Sequence, residues 1–91
     1  MEDLVKLRDE IDAIDDQIVG LFERRMAVAE NVAAYKRSVG KPVLDKERER
    51  SKIQKVTEKT SNAFNRQAVE SLFGQIMAVS RMLQYQRLAS E

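Results

Sequence analysis

Apolar side chains recur at Leu4, Leu7, Ile11, Ile14, Ile18, Leu21, Val28, Val32 and Val39, at alternating steps of three and four. That spacing is the heptad stripe of one long helix. It predicts a helix from about Asp3 to about Ser38, roughly 50 Å in length. The two remaining stripe positions hold Tyr35 and Arg25. A guanidinium on an apolar stripe is costly to bury unless an anion neutralises it. That anion is either an acid on a neighbouring helix or an external ligand, and the stripe alone leaves both open. Gly20, near the middle, marks either a close helix crossing or a weak spot costing about 1 kcal/mol.

Val39-Gly40-Lys41-Pro42 ends the long helix, because Gly suits the position after the C-cap and Pro cannot continue the helix. Asp45 then reads as the N-cap of a second helix running to about Lys59, with Ile53 and Val56 facing inward. Glu47 and Glu49 sit favourably in its first turns. A polar stretch, Thr60-Ser61-Asn62, precedes a third helix. Asn65 is its expected cap, since Phe64 and Val69 fit a hydrophobic staple. This helix carries Val69, Leu72, Ile76, Val79 and Leu83, with Phe73, Met77, Ser80, Gln84 and Leu88 on a neighbouring line. No strand pattern or internal repeat occurs. The expected fold is all-α: three helices in one domain over residues 1–91, the first far too long for the others to cover.

Composition narrows the chemistry. The 91 residues suffice for one small domain, and association is an easy way for so short a chain to complete a core. Sixteen basic and fifteen acidic residues leave a net charge of +1, with no one-sided basic surface for nucleic acid. No apolar run approaches a membrane span, and Met1-Glu2-Asp3 is no signal-peptide start, so cytosol is the expected compartment. There is no Cys and no His, hence no thiolate nucleophile, no imidazole base and none of the commonest metal ligands. No Gly-rich phosphate loop is present. An enzyme built this way works by positioning and electrostatics, or by carboxylate and lysine chemistry.

Arg25 and Lys36 are eleven residues apart, so they project from one face of the first helix with Val32 between them. Two cations on an apolar face point to an anion site; the plain alternative is an ion pair for Arg25 and a solvated Lys36. Arg8 lies seventeen residues before Arg25, about 25 Å along the axis. It is a surface arginine unless a second chain brings it to the site. Ser80 and Gln84 stack at four-residue spacing on the third helix and are either ligand-orienting or boundary residues. Asp45 to Arg50 reads most simply as a cap and a solvated charged turn, although Glu49 is in register with Ile53 and Val56.

These residues together resemble the all-helical chorismate mutases over almost the whole chain. The matching stretches are Leu7-Arg8-Asp9-Glu10-Ile11-Asp12 with Ile14-Asp15, then Leu21-Phe22-Glu23-Arg24-Arg25 and Val32-Ala33-Ala34-Tyr35-Lys36. Pro42-Val43-Leu44-Asp45, Arg48-Glu49, Ser80 and Gln84 complete the ordered set. The resemblance implies an intertwined homodimer, each site receiving Arg8 from the partner chain. It implies chorismate, a small dianion, as substrate and its rearrangement to prephenate as the reaction, without metal or cofactor.

By the same resemblance Arg25 and the partner's Arg8 clamp the two carboxylates and Arg48 adds to the cationic wall. Lys36 and Gln84 donate to the ether oxygen. Glu49 and the Asp45 backbone hold the ring hydroxyl, Ser80 assists at a carboxylate, and Val32 and Met77 are apolar walls. Arg81 stands where a less charged residue is expected. Similar helical segments occur alone or fused to other enzymes of the pathway, and 91 residues hold only the mutase part. The rival readings are an isochorismate pyruvate-lyase of the same fold and a non-catalytic helical dimerisation module.

Overall fold

The computed structural model describes residues 3–89, which form α1 (Leu4–Ser38), α2 (Lys46–Thr57) and α3 (Ala63–Ala89). No strand occurs among the described residues. The Asp3 side chain caps α1 by accepting from the Val5 N–H at 3.1 Å. At the other end the Lys41 N–H returns to the Lys36 carbonyl at 2.8 Å and the Gly40 N–H to Arg37 at 3.3 Å. This is a complete Schellman closure, and Gly40 supplies the left-handed φ of 72° that it requires. Asp45 caps α2, accepting from the Arg48 N–H at 3.0 Å.

Two helix limits differ from expectation. The α2 helix stops at Thr57, where hydroxyls share the last carbonyls with backbone N–H groups. Thr57 Oγ1 donates to Gln54 and Thr60 Oγ1 to Thr57. The cap of α3 is Asn62 rather than Asn65. Asn62 Oδ1 accepts from the Asn65 N–H at 2.7 Å, so Asn65 already lies inside the first turn. The staple is not made either, since Phe64 is 79% exposed. We therefore expect Asn62→Ala to lower stability by about 1 kcal/mol and Asn65→Ala to change it by much less, as read from urea denaturation.

Both α1 and α2 pack on α3 and not on each other, giving a body of 58 × 27 × 14 Å whose long dimension follows α1. Glu30 and Arg87 tie α1 to α3 through a 3.2 Å ion pair. The buried apolar residues are Ala29, Ala33, Val43 and Met77. On α1 the packed line is thus Phe22, Met26, Ala29 and Ala33, with small side chains admitting α3 closely, rather than the heptad stripe. On α3 it is Phe73, Met77, Ser80, Gln84 and Leu88, while Leu72 and Val79 of the other line stay exposed. Every residue from Arg8 to Leu21 is exposed, including Ile11, Ile14 and Ile18. Gly20 makes no close crossing within the chain, since a Cβ there would meet nothing within 4 Å. No described helix is long and apolar enough to cross a membrane.

Candidate active site

A pocket of about 330 Å³ opens between the C-terminal half of α1, the loop after it, the start of α2 and the middle of α3. Its floor is Met77, Ser80 and Gln84, all buried on the packed line of α3. From α1 come Arg25, Val32 and Lys36, all three on one face within a single three-turn stretch, as their spacing requires. Asp45, Arg48 and Glu49 enter from the first turn of α2. Nine of the ten residues expected at a site therefore surround one cavity.

Each functional side chain has a local reason for its place. Val43 is buried at 6% exposure and anchors the loop after α1. Its carbonyl accepts from Lys36 Nζ at 2.7 Å, so Lys36 is held at the pocket edge rather than waving in solvent. Arg25 is half-buried, and no carboxylate among the described residues pairs with it. Among the described residues there is thus no internal acid for the cation on the stripe. Arg48 is exposed and lines the rim, while its own N–H is used in the Asp45 cap.

Gln84 Nε2 donates to Ser80 Oγ at 3.3 Å, and Gln84 Oε1 is buried with no partner among the described residues. A buried orphan acceptor costs about 1–3 kcal/mol. Turned about its terminal bond, the amide accepts the Ser80 proton and presents Nε2 instead. Either way one end of a buried neutral amide is left for a ligand group. Five basic side chains line the cavity (Arg25, Lys36, Arg48, Lys52, Arg81) against two acidic ones (Asp45, Glu49), an excess of three positive charges. A positive excess of this size favours an anionic ligand, and the arginines and lysines offer it forked and single donors.

Arg8 is not at this pocket. It is exposed on the first turns of α1, about 25 Å along the axis from Arg25. Arg81, which the sequence left unplaced, faces the pocket and forms an ion pair with Glu49 across to α2. Lys52 and Val43 also line the cavity and were not singled out from the sequence. Lys52 lies one turn after Arg48, a signal available at four-residue spacing. For Val43 there was only its place in the stretch from Pro42 to Asp45, because a loop carbonyl has no side-chain code.

Fold and pocket define an all-helical protein with a cation-rich cleft between its three helices. The family model of chorismate mutase type II matches residues 7–85, and the chain belongs to that family. It is also 40% identical over 50 residues to a protein named chorismate mutase from Methanocaldococcus jannaschii. That alignment covers 55% of this chain and 50% of the relative, so the chain spans about half the length of the curated protein it matches.

Proposed function

We propose that the protein is a chorismate mutase: a single catalytic module that rearranges chorismate to prephenate, on the route to phenylalanine and tyrosine, without cofactor or metal. The observation that carries this reading is Arg25. It is a half-buried cation with no carboxylate partner among the described residues, in one pocket with Lys36 and the open amide of Gln84. In the pericyclic rearrangement the ether C–O bond breaks as a new C–C bond forms. No proton transfer is required, which suits a chain with neither Cys nor His. Arg25 forks onto one carboxylate, and Arg48 and Ser80 complete the anion contacts. Held so, the flexible enolpyruvyl arm lies over the ring, an entropy trap. Lys36 and Gln84 donate to the ether oxygen as negative charge develops there. Glu49 and the Asp45 backbone take the ring hydroxyl, and Val32 and Met77 wall the site.

The site is completed by a second copy of the chain. Supporting this, the bare half of α1 exposes Ile11, Ile14 and Ile18 at 53–58%, and Leu72 and Val79 of α3 are exposed as well. The four buried apolar side chains among the described residues make a slight core for a monomer. A two-fold dimer that covers these stripes also allows Arg8 of one chain to reach the pocket of the other.

Chorismate consumption by pure protein, with pyruvate release from isochorismate followed in parallel, tests the reading. Prephenate formation at enzymatic rate is expected. Pyruvate release alone, or no turnover of either compound, would overturn it. The variant Gln84→Glu tests the ether contact separately. An ionised carboxylate has no proton to donate and repels the developing charge, so only the protonated form works. Activity should therefore be present in acid and fall as pH rises through the titration of the introduced carboxyl, which burial moves upward from the usual value near 4.3. The wild type should show no such loss from acid to neutral pH. A flat profile for the variant would place Gln84 outside the reaction centre.

A further inference from the structure

The ion pair between Arg81 and Glu49 runs along the pocket wall from α3 to α2, and the roles assigned above use only its acidic half. The two side chains are 30% and 25% exposed. Arg81 follows Ser80 directly and precedes Gln84 by three residues, so it rises from the same turn as the pocket floor. Its Nη1 donates to Glu49 Oε1, whereas Glu49 Oε2 has no partner among the described residues. None of the residues of α2 is buried. A glutamate on so lightly anchored a helix has many rotamers open to it, and ordering it during binding costs affinity.

We infer that Arg81 is a positioning residue. It fixes the Glu49 carboxylate so that Oε2 accepts the hydroxyl hydrogen of a hydroxylated dicarboxylate, and it cancels the negative charge that Glu49 would otherwise set beside that dianion. A single N–H of the cation holds Oε1 while the second oxygen stays free for a ligand. A neutral side chain at position 81 would leave Glu49 both mobile and uncompensated. This role rests on the proposed reading of the pocket, in which Glu49 meets the ring hydroxyl.

The test compares two ligands of equal charge by calorimetry: a cyclic dicarboxylate that carries the ring hydroxyl and its deoxy counterpart. Their affinity ratio cancels the general effect of removing a cation. The wild type should prefer the hydroxylated ligand by at least about tenfold, the value of one charge-assisted hydrogen bond. The preference should shrink to about threefold or less in Arg81→Met and in Glu49→Ala, and Arg81→Lys should restore most of it. Arg81→Gln serves as a second uncharged variant, with helicity and melting recorded for both. If Glu49→Ala loses the preference and folded Arg81→Met keeps it, Glu49 acts unaided and the inference is wrong. Failure of both uncharged variants to fold would make the pair structural and equally overturn it. Should the wild type bind neither ligand, it is the chorismate reading that fails.

Discussion

Arg25→Ala should lose turnover by roughly a thousandfold while the protein stays helical and folded. Arg25 occupies a position on an apolar stripe, is half-buried, and finds no carboxylate among the described residues. Truncating a desolvated, charge-assisted contact to a ligand costs about 2–5 kcal/mol, and each 1.36 kcal/mol is tenfold in rate. The folded state, by contrast, loses no internal ion pair and is relieved of an uncompensated charge. Stability should therefore hold within about 1 kcal/mol or rise. Arg25→Lys keeps the charge but not the planar fork, and most of the rate should still be lost. Chorismate turnover together with circular-dichroism melting separates the cases. A variant that melts far earlier yet turns over normally would show that Arg25 serves the fold and not the ligand.

The second large effect is the recovery of activity from two inactive proteins. Arg8 and Arg25 are about 25 Å apart on one straight helix, so no single chain brings both to one pocket. In the proposed two-fold dimer each site would take Arg8 from one chain and Arg25 from the other. Arg8→Ala and Arg25→Ala homodimers should both be nearly dead. A heterodimer of the two has one site with both defects and one with neither. Equal co-expression with random pairing makes about half of all dimers mixed, so roughly a quarter of wild-type activity should return. Both substitutions on one chain give the control, which should stay inactive. If mass spectrometry confirms heterodimers and the rate does not rise above that of the separate variants, the shared-site architecture is wrong. The same experiment assigns the bare stripe of α1 to a second copy of this chain.

The amino-acid sequence by itself determined the three helices, the ends of α1, the cap of α2 and the all-α class, because periodicity, Gly40, Pro42 and Asp45 act through local chemistry. It also placed Arg25 and Lys36 on one face, since helical spacing is fixed by backbone geometry. What it left open was which apolar line α1 and α3 each pack within the chain. Both helices carry two lines; the regular stripe is exposed over most of α1, whereas on α3 only Leu72 and Val79 of it are exposed and Val69, Ile76 and Leu83 are half-buried. The shorter line through Ala29 and Ala33 is packed because small side chains let α3 approach. Asn62 prevailed over Asn65 because either residue can cap, and the helix begins where the preceding turn ends. Only the tertiary structure decided that Val43 offers its carbonyl to Lys36, that Gln84 keeps one amide end free, and that Arg81 turns toward Glu49. The first depends on the path of the loop after α1, the second on the packing that buries Gln84, and the third on the meeting of segments 32 residues apart, and helical spacing encodes none of them.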